Sequence, residues 1–277
     1  MTKTPARRAR PRLWQNLALA GTAATLAATG AASAGTGFVR PGAAQLWPAQ
    51  SQSSEGGEGG ESGAPQTLSE TVGILTDLGL LEGYLRVGLA LYLDGHADMA
   101  ATHMKGPDDQ IYAGLKIRLG KLGIDGFDAE LAALGAAVRD GKEDVQAQDA
   151  FEAVLARITA TRRQMAAEPR QIFDAAVAML QTAAKDYDAG VKDGAVTDLH
   201  EYQDAWGFIQ TVRALAEAQA GSSDGDVRDA AGEIVASVDT TGEAFDGLAP
   251  KGKLPGDASS VLYAAAARAE FAAGWVK

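Results

Sequence analysis

Three residues in one short segment are of metal-ligand type and lie at helical spacing. His96, Met99 and His103 occupy positions i, i+3 and i+7 of the stretch LDGHADMAATHMKGPDD, so a helix there would carry them along one stripe. The chain has no cysteine, and imidazole together with thioether is a donor set that copper(I) accepts. The pattern therefore predicts a metal site, with copper or haem as the candidate bound group.

Helix geometry limits how many of these residues could share one ion. At about 1.5 Å rise per residue, His96 and His103 are about 10 Å apart along the helix axis. Helical side chains lean toward the N-terminus, so His103 can reach back whereas His96 cannot reach forward. We therefore expect a further ligand from another helix, with His200 first and Glu201 or Asp204 as the other candidates.

An interpretation without metal stays open for the same segment. Met99 would fill the core of a helical hairpin, His96 would lie in its turn, and His103 would bond a carbonyl near a helix end. One distance separates the two interpretations. A metal site requires a His200 nitrogen within about 5 Å of a His103 nitrogen or the Met99 sulfur, so that small side-chain movements reach bonding distance.

A second polar cluster, DLHEYQDAW, places His200 and Asp204 four residues apart. On a helix the carboxylate could orient the imidazole, as it does for a metal-binding or general-base histidine. A hydrolase using His200 and Asp204 is therefore an alternative, and a solvated polar face is the simplest one. Imelysin-type exported proteins carry a G-x-H-x-x-E motif, which is missing here because Glu201 directly follows His200. No nucleophile elbow, phosphate loop or H-E-x-x-H motif occurs in the sequence, so we expect a non-enzyme.

The N-terminal residues predict an exported protein. Residues 1–34 combine a basic start, a short Ala-rich apolar run and the sequence Ala32-Ser33-Ala34, which is typical of a cleaved signal peptide. The apolar run is short for a membrane anchor, which needs about 20 mostly apolar residues, so we expect no stable membrane span after cleavage. Residues 35–66 are rich in Ser, Gly and Glu and predict a disordered linker. Residues 67–277 would form the folded domain, in the periplasm or secreted.

The charge of the chain restricts its partners. The formal net charge is −11, and an acidic surface repels phosphate backbones and anionic lipids. We therefore expect no nucleic-acid partner. The sequence does not identify a protein partner or a small ligand.

Apolar residues recur at three- and four-residue intervals from Thr67 onward, which predicts an all-α, antiparallel multi-helix bundle with short loops. Glu82 and Arg86 should form an i,i+4 ion pair. Gly79 and Gly83 share one helix face, which favours close approach of a second helix, or alternatively of a flat ligand such as haem. The predicted helices span 67–93, 96–105, 108–122, 127–139, 143–168, 169–189, 198–220, 226–238 and 258–275.

Residues 85–104, LRVGLALYLDGHADMAATHM, resemble a single TPR-like helical hairpin. Gly88, Ala100 and Met104 stand at the small and large packing positions of such a unit. The resemblance implies a fold element and no ligand.

These observations together predict an exported, non-catalytic helical binding or scaffold protein of the cell envelope. The alternative is a soluble metal- or haem-binding protein using residues 96–104, and the second alternative is the hydrolase.

Overall fold

The computed structural model describes residues 68–107 and 111–277, and this part of the chain is mostly helical. The predicted all-α bundle is confirmed. The predicted signal peptide, 1–34, and the predicted disordered linker, 35–66, lie outside the described residues. The helices are α1 Glu70–Leu93, α2 Ala97–Pro107, α3 Ala113–Lys121, α4 Asp128–Arg139, α5 Asp144–Gln164, α6 Pro169–Gly190, α7 Leu199–Glu217, α8 Gly225–Asp239 and α9 Ala258–Ala273.

Helix α1 forms the centre of the core. Its apolar residues point to all sides, and fully buried examples are Ile74, Leu78, Leu81 and Leu91. A helix that is apolar all round must be enclosed by other helices, and α1 packs against α2, α5, α6 and α7. None of the helices in the described ranges combines the length and hydrophobicity that a bilayer crossing requires.

Glycines allow α1 to lie close to its neighbours. A Cβ atom added to Gly207 of α7 would be 2.4 Å from the Gly83 carbonyl oxygen, and one added to Gly83 would be 2.5 Å from Phe208. Gly79 faces the Met179 side chain of α6 in the same way. The expected close helix approach is confirmed. The alternative of haem on this face is not supported, because Met179 and Phe208 fill it.

The interpretation of residues 85–104 as a TPR-like hairpin is wrong. Gly88 does face Met104, whose Cε would be 2.8 Å from an added Cβ. However, α1 has 24 residues and α2 has 11, and α1 is enclosed by helices from much later in the chain. The pair is therefore one part of a single bundle and not a repeat unit stacked on similar units.

A small hairpin between α6 and α7 was not predicted. Strands β1 Val191–Lys192 and β2 Ala195–Val196 pair antiparallel, joined by Asp193 and Gly194, which both have positive φ. The hairpin leads directly to Asp198, whose Oδ1 accepts hydrogen bonds from the backbone N–H groups of His200 and Glu201 at 3.0 and 3.4 Å. Asp198 thereby caps α7 and fixes the start of the helix that carries His200.

Candidate metal centre

The structure brings together His103 of α2 and two residues of α7, His200 and Asp204. Each offers one ligand atom, and the three atoms lie within 4.8 Å of one another. The expected distance of less than about 5 Å between nitrogens of His200 and His103 is thus confirmed. Metal binding by these residues stays a prediction.

The three side chains differ in exposure, so the group has a closed and an open side. The side chains of His103 and Asp204 are 1% and 4% exposed, whereas that of His200 is 46% exposed. An ion bound here would be enclosed by protein from one direction. Its remaining coordination positions could be filled by water from the side of His200.

Two buried atoms of the group face each other without a hydrogen bond. His103 Nδ1 and Asp204 Oδ1 are 3.2 Å apart, yet neither has a hydrogen-bond partner of acceptable geometry among the described residues. Leaving a buried polar atom unpaired costs about 1–3 kcal/mol. A cation shared by the nitrogen and the oxygen would satisfy both atoms.

The second histidine approaches the same carboxylate from its other oxygen. His200 Nε2 is 3.5 Å from Asp204 Oδ2, and the rings of His103 and His200 stack with centroids 4.3 Å apart at 18°. Burial is the main cause that lowers the pKa of His200, His103 lowers it further, and Asp204 acts in the opposite direction. The neutral imidazole that results has a lone pair available for a metal ion.

Further carboxylates make the surroundings of the group acidic. Burial, together with Glu201 and Asp204, raises the pKa of Asp186 on α6 to about 8. Burial, Asp204 and Asp198 raise the pKa of Glu201. The pKa of Tyr84 on α1 is raised by burial and by Asp204, Asp186 and Glu201. Burial is the largest cause of each shift and the neighbouring acids add to it, so several acidic groups lie close together here, and a bound cation would favour their ionised forms.

Two other predicted ligands lie apart from the group. His96 precedes α2, and its Nε2 is 3.4 Å from the exposed carboxylate of Asp94, so it is not part of the group of three. Met99 is half-buried and packs against the core, with its sulfur 3.8 Å from the side-chain nitrogen of Gln203. Sequence reasoning named Asp204 as a possible third donor but missed Gln203, which no spacing rule singles out.

The donor set that the fold assembles differs from the expected imidazole and thioether. Two imidazole nitrogens and one carboxylate oxygen suit Fe²⁺ or Zn²⁺ better than copper(I), which prefers softer sulfur ligands. The same set with open positions is the one that non-haem ferrous centres use. The group therefore offers the donor atoms that a divalent transition ion takes, and three protein ligands would leave part of that ion's coordination sphere exchangeable.

Comparison with known proteins finds a family that matches part of the chain. The family model described as the iron permease-associated four-helix bundle domain matches residues 164–271. No curated protein and no solved structure matches the chain. The matched range begins at the last residue of α5 and contains α6, α7, α8 and most of α9. His200 and Asp204 lie within it, whereas His103 lies outside.

This match corrects the predicted function. The matching family is described by its association with iron permeases, which are membrane transporters, and not with exported scaffolds or TPR-like proteins. The prediction of an exported scaffold carrying a TPR-like hairpin is therefore wrong. The match favours neither the soluble metal- or haem-binding protein nor the hydrolase. The description of the matching family points to transport at the cell envelope or membrane.

Proposed function

We propose that this protein handles iron for a permease-type transport system and holds a ferrous ion, as cargo, between His103, His200 and Asp204. The observation that carries the proposal is the buried pair of His103 Nδ1 and Asp204 Oδ1, which are 3.2 Å apart and lack hydrogen-bond partners among the described residues. The match of residues 164–271 to an iron permease-associated domain supports iron as the ion.

The arrangement suits a cargo ion better than a permanently held one. Three protein ligands leave coordination positions free, and the half-exposed His200 lies where an incoming or outgoing ion would pass. The carboxyl groups of Asp186 and Glu201 lie beside the group, and although burial raises both of their pKa values, a bound cation would favour their ionised forms. The ferrous state fits because imidazole ligands suit divalent transition ions, whereas Mg²⁺ and Ca²⁺ prefer oxygen ligands alone.

We further propose that the protein lies on the outer side of the cytoplasmic membrane, beside a permease. The signal-like pattern of residues 1–34 and the description of the matching family support this location. Protease treatment of intact spheroplasts tests it: the folded domain should be reached by the protease while a cytoplasmic marker stays intact. Protection of the domain until lysis would contradict the location.

Anaerobic titration with Fe²⁺ tests the ion. The wild-type protein should bind about one equivalent, and Co²⁺ used as a coloured substitute should show d–d bands of a nitrogen- and oxygen-ligated centre. His103→Ala and Asp204→Ala should each lose binding with helicity kept in circular dichroism. His96→Ala is the matched control, because His96 is a half-exposed histidine near the same helix but outside the group.

Two results would contradict the proposed function. One is undiminished Fe²⁺ binding by both His103→Ala and Asp204→Ala. The other is an equal loss of binding in His96→Ala. Zn²⁺ and Cu²⁺ should bind more tightly than Fe²⁺ in solution, because affinities of nitrogen and oxygen sites generally follow that order, so their tighter binding does not count against iron as cargo.

A further inference from the structure

Gln203 connects the candidate metal centre to a loop before α9. The side chain is buried, and its Oε1 is 2.8 Å from His103 Nε2. Its Nε2 donates a hydrogen bond to the Leu248 carbonyl oxygen at 2.7 Å. Gln203 therefore contacts His103 at Nε2, whereas Asp204 lies beside the other ring nitrogen, Nδ1.

The Leu248 carbonyl determines which way the Gln203 amide points. A carbonyl can only accept a hydrogen bond, and an amide donates only through its nitrogen. A flipped Gln203 would place two oxygens against each other, so its NH₂ must face Leu248 and its oxygen must face His103. Because that oxygen only accepts, His103 must donate from Nε2.

The loop that carries Leu248 is held in place independently of His103. Tyr202, the neighbour of Gln203, donates its hydroxyl hydrogen to the Gly247 carbonyl at 2.8 Å and accepts from the Asp246 N–H at 3.0 Å. Two consecutive residues of α7 thus bind three consecutive residues of the loop. The amide of Gln203 is fixed by backbone groups on one side and can impose its orientation on the histidine on the other.

We infer that Gln203 is a positioning residue that holds His103 with its proton on Nε2, so that Nδ1 is the atom presented to a metal ion. In a neutral imidazole with Nε2 protonated, Nδ1 carries the free lone pair, and Nδ1 is the atom 3.2 Å from Asp204. A histidine ligand whose second nitrogen is bonded to an oxygen acceptor is the arrangement that fixes ring orientation in metal sites. The role of Gln203 in metal binding rests on the proposed function, whereas the position of the proton on His103 Nε2 does not.

Long-range ¹H–¹⁵N spectra of histidine-labelled protein test the inference directly. At a pH where the His103 ring is neutral, the metal-free protein should show the proton of His103 on Nε2. With Zn²⁺ bound as a diamagnetic probe, the shifted and coordinated nitrogen should be Nδ1. A proton on Nδ1 in the metal-free protein, or coordination through Nε2, would overturn the inference.

Variants of Gln203 separate positioning from packing. Gln203→Leu removes the acceptor and should weaken Zn²⁺ binding by about 10–100-fold with a mixture of His103 proton positions. Gln203→Glu keeps an acceptor toward His103 while losing the donor to Leu248, so it should bind Zn²⁺ more tightly than Gln203→Leu even if it melts at a lower temperature. Thr211→Val is the control, since Thr211 is equally buried in α7 and bonds only within its own helix, to Gly207.

The outcomes distinguish the two proposals. Wild-type affinity for Zn²⁺ in a folded Gln203→Leu protein would overturn the role of Gln203 while leaving the metal centre intact. Absence of Zn²⁺ and Fe²⁺ binding in the wild type would overturn the proposed function and the metal-related part of the inference. An equal loss of affinity in Thr211→Val would show that the effect comes from general packing of α7.

Discussion

Glu82 carries a buried charge on α1 that two other side chains compensate. Arg86 Nη2 lies 2.6 Å from Glu82 Oε1, and Arg162 Nη1 lies 2.8 Å from Oε2. Burial alone would raise the pKa of Glu82, but the two guanidinium groups outweigh it and the pKa is lowered. The i,i+4 pair with Arg86 was predicted from spacing. The bond to Arg162 was not, because it joins residues 80 positions apart in the chain.

The lowered pKa of Glu82 predicts a contribution to stability that depends on pH. A carboxyl group whose pKa is lower in the folded than in the unfolded chain stabilises the fold above its unfolded pKa, near 4.5, and this contribution is lost as the pH falls through the folded value. Glu82→Gln should therefore lower the free energy of unfolding at pH 7 by about 3–5 kcal/mol, since two partly buried arginines lose the charge of their buried partner. The deficit should shrink in acid.

Urea unfolding of wild type and Glu82→Gln at neutral and acidic pH measures this difference. Glu152→Gln is the control, because Glu152 is exposed on α5 and its loss should change the free energy of unfolding by no more than about 0.5 kcal/mol. An equal difference between wild type and Glu82→Gln at both pH values would contradict the prediction.

The residue types in the sequence reveal part of the candidate centre but not Gln203, the residue proposed to position His103. The chain has three histidines, so few residues could belong to a metal site built on imidazole. Helix geometry allowed only neighbouring members of the 96–103 stripe to share an ion, together with a ligand from another helix. Gln203 could not be recognised, because an amide in a helix has no distinctive spacing. Its role depends on Leu248, which lies in a loop whose course the sequence pattern does not determine.

At the scale of elements, the crossing of α1 and α7 positions the candidate centre. Gly83 and Gly207 let the two backbones touch. Helix α7 carries His200 and Asp204, while α2, which also packs against α1, carries His103. A change in the spacing of α1 and α7 should therefore move two ligands relative to the third.

Gly207→Ala should destabilise the fold and weaken ion binding together. The added methyl group would lie 2.4 Å from the Gly83 carbonyl oxygen and 2.6 Å from Val87 Cγ2, and such overpacking costs about 1–3 kcal/mol. Gly232→Ala is the matched control: Gly232 is exposed inside α8 with nothing within 4 Å, so alanine there should stabilise by up to about 1 kcal/mol. Thermal unfolding and Zn²⁺ titration of both variants measure the two effects, and unaltered stability of Gly207→Ala would contradict the prediction.

Most helices could be predicted because their ends carry local signals. Pro169 begins α6, Gly95 and Gly141 follow α1 and α4 with positive φ, and Asp198 caps α7. The hairpin at 191–196 was missed because strands of two residues are too short to show alternation. Its one local signal was Asp193-Gly194, a pair that favours a tight hairpin turn.

At the scale of the whole molecule, the candidate centre crosses the boundary of the matched four-helix segment. Residues 164–271 supply His200 and Asp204, and α2 supplies His103 from the part of the chain outside the match. The sequence could not show this arrangement, since it depends on α1 lying between the two parts and packing against α2, α6 and α7. An ion bound at the centre should therefore stabilise the packing of α2 against the matched helices.

Hydrogen exchange should detect this link. An ion that binds the folded chain and not the unfolded one stabilises it by about 2.7 kcal/mol at a concentration of 100 times the Kd, and local opening is suppressed wherever ligands are lost on opening. Zn²⁺ should therefore slow exchange both in α2 around His103 and in the first turns of α7. His103→Ala should abolish the slowing in α2, whereas His96→Ala should keep it in both helices. Slowing confined to α7 in the wild type would mean that the matched helices bind the ion without α2, and the three-residue centre would then be wrong.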